Sequence, residues 1–386
     1  MERARLMALI RATGCAEERG TNVFLCNPQW SAAERGQLNN LIATANAANS
    51  REAGGQGWLC LPTGGTSGGV RFARHDEVTL TAAVDGFREH FGLRRVNAVD
   101  VLPPFHVSGL MARVRCAASD GDYVPWEWKR LERGEVPAIS GENWVISLVP
   151  TQLQRLLGMH ETVDWLRRFS IVFIGGGPSW PGLTDAAAEQ GLRLSLSYGM
   201  TETAAMVAAL KPEEFLAGDR SCGTALPHAR IELSKDGAVV VSGTSVFRGY
   251  YPEFRAARSF TTDDLGRLDE RGRLTVLGRR DAVIITGGEK VNPMEVEAAL
   301  RATGEFVDVA VVGLADPEWG QVVVACYPGG GGVPSWPAVE AIVVTRLAAF
   351  KRPKRYVAIS EWPRNQQGKL NRTELARAAQ AAMDVT

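Results

Sequence analysis

From Leu61 to Arg71 the chain reads Leu-Pro-Thr-Gly-Gly-Thr-Ser-Gly-Gly-Val-Arg, in which Thr63, Gly64, Gly65, Thr66, Ser67, Gly68 and Gly69 are all glycine or hydroxyl residues. Glycines leave backbone N–H groups free to wrap a polyphosphate, and the three hydroxyls add donors. A Walker A loop would need lysine after Gly69, where Val70 stands. No G-x-G-x-x-G fingerprint occurs here or at Gly175-Gly176-Gly177-Pro178. Gly65-Thr-Ser67-Gly-Gly69 formally matches the G-x-S-x-G elbow of serine hydrolases, but an elbow turns from strand directly into helix. Val70-Arg-Phe-Ala-Arg74 alternates instead like a second strand before a helix begins near Asp76, so a strand-loop-strand hairpin is expected.

Ser197-Tyr198-Gly199-Met200-Thr201-Glu202-Thr203 follows an apolar run and is read as joining a strand to a helix, with Glu202 in the first helical turn. A carboxylate there complements the helix dipole. With Thr201 beside it and a glycine loop at another strand end, it can instead hold Mg²⁺ on ATP phosphates. Asp264, in Thr262-Asp-Asp264-Leu-Gly, fits an ordinary turn, and Lys369, in Gln367-Gly-Lys369-Leu, fits a solvated lysine. His106, after Pro104-Phe105, is as readily a hydrogen-bonded structural histidine as a substrate gate.

The elements that must carry these residues alternate. Short apolar runs at Trp58–Leu61, Val99–Leu102, Val145–Val149, Ile171–Ile174 and Leu192–Leu196 read as strands, separated by stretches of helical period such as Leu80, Val84, Phe87 and Phe91. Such alternation implies a parallel sheet, whose ligands bind beyond the carboxyl ends of the strands, where the loops at 63–69, 175–178 and 197–202 fall. Between Ile231 and Leu277 short strands and turns indicate a small antiparallel β unit. After Asp281 a strand at Val283–Ile285, a helix from Pro293 to Leu300 and strands at 307–312 and 321–327 begin a new α/β pattern. The fold class is therefore α/β, with a large N-terminal domain over 1–280 and a small α+β C-terminal domain over 281–386.

The composition bounds the function. Lys+Arg and Asp+Glu are both 43, so the basic excess of a nucleic-acid or anionic-membrane binder is missing. Apolar residues at 45% and charged residues at 22% exclude disorder and coiled coil for the whole chain. Six scattered cysteines, with no C-x-x-C pair, indicate neither a disulfide framework nor a zinc site. No apolar run reaches bilayer length and no signal segment is evident, so a cytoplasmic protein without stable membrane insertion is expected. A homo-oligomer is compatible with this reading.

Taken in order, Thr63-Gly-Gly-Thr-Ser-Gly-Gly69, Pro104-Phe-His106, Tyr198-Gly-Met-Thr-Glu202, Thr262-Asp-Asp264-Leu-Gly with Gly278-Arg279-Arg-Asp281, and Gln367-Gly-Lys369-Leu resemble the adenylate-forming acyl-CoA synthetase superfamily. The resemblance runs from about residue 58 to about 375. The loop at 61–73, His106-Val-Ser-Gly-Leu and Ser147-Leu-Val-Pro-Thr-Gln are most similar to 2-succinylbenzoate–CoA ligases of quinone biosynthesis, particularly the cyanobacterial ones that serve phylloquinone. The resemblance implies ATP, Mg²⁺ and CoA, an acyl-adenylate intermediate, and a mobile small domain. It assigns Thr63, Gly64, Gly65, Thr66, Ser67 and Gly68 to the β- and γ-phosphates, and Thr201 and Glu202 to the α-phosphate and metal. Gly175, Gly176, Gly177, Tyr198 and Gly199 fall to the adenine slot, and Asp264 and Arg279 to the ribose side. Lys369 bridges carboxylate and phosphate in the first half-reaction, and Asp281 is the hinge. The acid is expected beside the segments 106–113 and 175–178, where His106 follows a strand end and small Ser108 and Gly109 leave room for a ring, with Arg113 and Arg115 available to a second carboxylate. The family's loop commonly ends in Pro-Lys-Gly, so with Gly69-Val70-Arg71 that lysine contact is missing or is supplied by Arg71. Relatives also place a further subdomain before the glycine loop, whereas 62 residues precede Thr63, so either part of the large domain's sheet is reduced or the sequence is truncated. Other readings that stay open are a ligase for a different aryl or fatty acid or a carrier arm, a nucleotide binder without turnover, and a hydrolase using Ser67.

Overall fold

A computed structural model describes residues 1–47, 56–63, 70–330, 334–364 and 370–384. The chain forms two compact units. One comprises Met1–Ser179, Leu183–Thr262 and Arg267–Thr275, and the other Trp180–Gly182, Asp263–Gly266 and Val276–Thr386.

In the large unit the first sheet is mixed. Its strands β1 (Ala16–Arg19), β2 (Asn22–Leu25), β3 (Leu59–Thr63) and β4 (Arg71–His75) lie in sequence order. β3 and β4 pair antiparallel from Leu59 opposite His75 to Thr63 opposite Arg71, the hairpin expected from the alternation after Gly69. The helix Glu77–Phe91 follows at once because Asp76 caps it: its carboxylate accepts from the Thr79 N–H at 3.0 Å, and the Thr79 hydroxyl accepts from the Asp76 N–H at 3.0 Å. Gly92, at φ +66°, ends it in the left-handed turn that glycine adopts without strain. Leu80, Val84 and Phe87 form the buried face, each contributing about 1.5–3 kcal/mol.

The second sheet has β5 (Asn97–Asp100), β6 (Tyr123–Pro125), β7 (Trp144–Leu148), β8 (Ile171–Ile174), β9 (Leu194–Met200), β10 (Ala205–Ala209) and β11 (Thr224–Ala225), in the order β11-β10-β9-β8-β7-β5-β6. Pairing is parallel from β6 through β5, β7 and β8 to β9, and antiparallel where β10 and β11 complete one edge. The fully buried runs of β5 and β8 show that both faces of these strands are covered, as parallel strands generally are.

Two features differ from the sequence reading. The glycine-rich hairpin belongs to the first sheet, so one parallel sheet does not carry all three loops. Ser197–Met200 also continues β9, and Thr201–Thr203 is a single 3₁₀ turn leading back into β10; no helix follows Glu202. The run Ala204-Ala-Met-Val-Ala-Ala-Leu has helical propensity, yet pairing beside β9 prevails, as tertiary context often does over propensity. The reversal places Ala204 at φ +53° and Ala205 at φ +82°.

β12 (Ala229–Leu233), β13 (Ala238–Gly243), β14 (Ser259–Leu268) and β15 (Leu274–Arg279) form a third sheet in sequence order, where an antiparallel unit was expected. The small unit has β16 (Ile284–Thr286), β17 (Glu289–Val291), β18 (Ala310–Asp316), β19 (Gly320–Pro328) and β20 (Arg355–Ile359), ordered β17-β16-β19-β18 with β20 parallel to β19. Helices Pro293–Arg301 and Trp336–Arg346 share a core with Val311 and Val323, while helix Arg372–Asp384 packs by Leu375 and Ala379 against Val312 and Val324. Side chains thus alternate between two covered faces of one sheet.

All six cysteines are free thiols, and all except Cys222 are buried. Burial pushes the thiols of Cys26, Cys60, Cys116 and Cys326 up to about 12. Among the described residues, no helix is long and apolar enough to cross a membrane.

Candidate active site

The Thr201–Thr203 turn packs against β3 and β4, which brings Glu202 to the stem of the glycine-rich hairpin. The turn is held from several sides. His75, at the end of β4 and fully buried, approaches the Thr201 carbonyl at 2.7 Å through Nε2. Since a carbonyl only accepts, Nε2 carries the proton, and Nδ1 faces the Thr79 hydroxyl at 3.0 Å. Burial lowers the His75 pKa to about 4, so the ring is neutral at pH 7. The Phe247 N–H donates to the Glu202 carbonyl at 2.9 Å, and the Thr203 hydroxyl donates to the Ala205 carbonyl at 2.6 Å. The Tyr250 hydroxyl donates to Oε1 of Glu202 at 2.8 Å. Among the described residues, Glu202 makes no ion pair.

The segment that reaches Glu202 runs beside β4. Arg248 N–H donates to the Arg74 carbonyl at 2.7 Å, Arg74 N–H to Gly249 at 2.9 Å and Tyr251 N–H to Phe72 at 2.9 Å. A buried ion pair anchors it, with Nε of Arg248 2.9 Å from the Asp76 carboxylate. Burial alone would raise the Asp76 pKa, but hydrogen bonds from Arg248 and from the N–H groups of Thr79 and Gly57 outweigh it and hold the carboxyl below its usual range. His75, Phe247, Arg248 and Tyr250 were not singled out from the sequence. The signal available was the cluster Phe247-Arg-Gly-Tyr-Tyr251, polar and aromatic at once.

Gly175, Gly176 and Gly177 follow the carboxyl end of β8, and a Cβ on Gly175 would stand 3.0 Å from the hydroxyl of Ser197 on the adjacent β9. Tyr198 is buried and its hydroxyl lies 3.3 Å from that of Thr262. Gly199 is required by the strand reversal, because a Cβ there would fall 2.1 Å from the Ala205 carbonyl oxygen.

His106 precedes the helix Val107–Ala118, with its ring 4.5 Å from that of Phe105. Ser108 is half-buried in the first turn of this helix. The side of Gly109 that would carry Cβ faces the carbonyls of Pro103 and Leu102, at 2.5 and 2.9 Å, so its missing side chain lets the helix pack on the preceding loop. Arg113 lies over the Tyr123 ring at 4.7 Å. Nearby, burial lifts the Asp100 carboxyl to about 7 against the hydrogen bond it accepts from the Tyr123 hydroxyl at 2.8 Å. Arg115 is 4% exposed, lies over Phe87 at 4.2 Å, and has no hydrogen-bond partner for Nε or Nη2 among the described residues. Burial brings its pKa down to about 10.

In the small unit Arg279 grips Asp281 with two hydrogen bonds of 2.7 Å and lies 4.0 Å from Asp264 and 3.5 Å from Asp263. Asp281 sits in a single 3₁₀ turn, Arg280–Ala282. Gly64, Gly65, Thr66, Ser67 and Gly68 of the glycine loop, and Lys369, lie outside the described residues; Thr63 closes β3 at the loop's base.

Residues 58–251 match the model of the AMP-binding enzyme family, and residues 295–369 that of the AMP-binding enzyme C-terminal domain. The chain is similar to 2-succinylbenzoate–CoA ligases of Geobacillus kaustophilus, 36% identical over 298 residues, and Listeria innocua, 33% identical over 280 residues. These alignments cover 72% and 71% of this chain; the chain spans 60% of the length of each of these curated relatives. Among solved structures it resembles the o-succinylbenzoate CoA synthetase of Bacillus subtilis in complex with its acyl-adenylate intermediate, with a TM-score of 0.71 and 28% identity, covering 83% of this chain and 69% of that one. ATP-bound MatB from Rhodopseudomonas palustris gives a TM-score of 0.71 at 26% identity, covering 85% and 69%. With both family models matched in order, and with the hairpin and the Glu202 turn adjoining, the chain belongs to the AMP-binding enzyme family.

Proposed function

We propose that the protein is an AMP-forming acid–thiol ligase that joins 2-succinylbenzoate to CoA at the expense of ATP. The observation that carries this reading is the Thr201–Thr203 turn, which presents a carboxylate at the stem of a glycine-rich hairpin in a chain whose relatives include 2-succinylbenzoate–CoA ligases. In the first step a carboxylate oxygen of the acid attacks the α-phosphorus of ATP, and the bond to pyrophosphate breaks. In the second the CoA sulfur, losing its proton, attacks the acyl carbon, and AMP leaves. Both steps are governed by positioning and charge stabilisation.

Thr63, Thr66 and Ser67, with the N–H groups of Gly64, Gly65 and Gly68, would hold the β- and γ-phosphates. Glu202 fits Mg²⁺: it is a hard oxygen donor, partly exposed and without an ion-pair partner among the described residues, and Mg²⁺ on a nucleotide commonly takes one or two carboxylates plus phosphate oxygens. Bound there, the ion would neutralise phosphate charge. Gly175 to Gly177, Tyr198 and Gly199 would line the adenine slot, and Asp264 would accept from the ribose hydroxyls with Arg279 nearby. Lys369 would follow the oxygen that passes from carboxylate to phosphate, and Asp281 would be the hinge between a large domain over 1–280 and a small one over 281–386.

For the acid, His106 and Ser108 border the proposed pocket, and Arg115 supports a second carboxylate. Leaving buried donors of a charged group unpaired costs several kcal/mol, about 3–5, and a bound carboxylate would supply a partner for Nε and Nη2 of Arg115. Arg113, on the same helix, is the second candidate. The setting would be the cytoplasm and the product a thioester for quinone biosynthesis, phylloquinone or menaquinone. The test is pyrophosphate release and thioester formation over a panel of carboxylic acids. The expected result is a clear preference for 2-succinylbenzoate, with KM for that acid raised when Arg113 and Arg115 are both replaced by Met. Turnover with another acid alone, or an unchanged KM in that variant, overturns the substrate assignment.

A further inference from the structure

Glu202 reaches the β3–β4 hairpin through an aromatic side chain. The Tyr250 hydroxyl donates to Oε1 of Glu202 at 2.8 Å, and on the face of the same ring lies the guanidinium of Arg71, 3.9 Å from its centroid. Arg71 is the first residue of β4, two positions after Gly69, the last glycine of the loop. Tyr250 cannot drift: its backbone bridges to Ala73 of β4, and its ring lies 4.8 Å from that of Phe247, whose own N–H donates to the Glu202 carbonyl. One phenol therefore touches both the carboxylate proposed as metal ligand and the first cation that follows the glycine-rich loop in sequence.

We propose that Tyr250 is a positioning residue for the adenylation half-reaction. Its hydroxyl fixes Oε1 of Glu202, so that Oε2 would be left for a metal, and its ring holds the Arg71 guanidinium, which would be available to a phosphate oxygen. This rests on the metal role of Glu202. A hydroxyl bonded to one oxygen of a ligating carboxylate fixes its orientation, and losing such a partner typically weakens metal affinity about 10–100-fold. A cation over an aromatic face keeps its charge and its in-plane N–H donors available at the ring's rim.

The experiment is calorimetric titration of ATP into the full chain over a range of Mg²⁺ concentrations, run beside pyrophosphate exchange. Tyr250→Phe keeps the ring, the Arg71 stack and the packing, and removes only the hydroxyl. The Mg²⁺ concentration giving half of its effect on ATP binding should rise about tenfold, while the exchange rate at saturating Mg²⁺ stays near that of the parent. Tyr250→Leu, which also removes the platform, should in addition weaken ATP binding at saturating Mg²⁺, as should Arg71→Gln. A Tyr250→Phe curve superimposing on the parent's overturns the proposal. So does a loss of rate that no Mg²⁺ concentration restores, which would mark Tyr250 as purely structural. If the parent binds ATP in a Mg²⁺-dependent way but activates no acid, the ligase reading fails while the titration still decides the role of Tyr250. If Glu202→Gln leaves the Mg²⁺ dependence intact, the metal role falls and the proposal with it.

Discussion

Glu202 is bonded through its backbone carbonyl and through one carboxylate oxygen, so the two anchors fix both where the side chain starts and where it ends. Replacement by Gln preserves that shape and removes the charge. Glu202→Gln should therefore melt close to the parent, yet lose about a hundredfold or more in Mg²⁺-dependent adenylation, measured as pyrophosphate exchange. Near-normal exchange at ordinary Mg²⁺ would remove Glu202 from the site. The residue itself was legible because Tyr-Gly-Met-Thr-Glu is a local string. Its partner was not, since Tyr250 lies 48 positions away and no periodicity links the two. Gly109 teaches the converse. A small residue in the sequence suggested space for a ligand, but that space holds two backbone carbonyls, because a missing Cβ is equally useful for close packing.

Where β4 runs into the helix Glu77–Phe91, three consecutive residues serve three purposes: Arg74 ties down the 248–252 segment, His75 supports the Thr201 turn, and Asp76 caps the helix while pairing with Arg248. Asp76→Ala should cost about 3–5 kcal/mol in urea unfolding, because it leaves the Arg248 charge buried and unpaired. His75 makes a pH prediction. An unfolded chain takes up a proton at this ring near pH 6.5, the folded chain only near pH 4, so acid favours unfolding between those values. Its contribution is intact above pH 6.5 and is lost as the pH falls towards 4, at about 1.4 kcal/mol per unit. Urea midpoints for the parent and for His75→Gln should thus converge between pH 7 and pH 4.5; parallel curves would show that His75 titrates normally. The hairpin, the helix start near Asp76 and the strand Ile171–Ile174 could be read beforehand, since each is written in adjacent residues. The strand Ala205–Ala209 could not, because alanine prefers helix and only the neighbouring strand Leu194–Met200 decides otherwise.

At the scale of the molecule, the two units and the two proposed half-reactions make separable predictions. Lys369→Ala should abolish adenylate formation yet still yield thioester from pre-formed acyl-adenylate and CoA, since thiol attack needs no ammonium between carboxylate and phosphate. Asp281→Pro should spare adenylation and impair thioester formation, with Asp281→Asn as the control that keeps the backbone free. Equal loss of both steps in each variant would contradict both roles. The buried thiols carry a different consequence. Cys15, Cys26, Cys60 and Cys116 belong to the large unit and Cys326 to the small one, and a thiol shielded from solvent reacts only when its surroundings open. The chain thus contains its own set of clocks. Timed alkylation read peptide by peptide should give one rate for Cys326 and another, shared rate for the four thiols of the large unit, so that the two units' opening can be followed separately without adding a label to either.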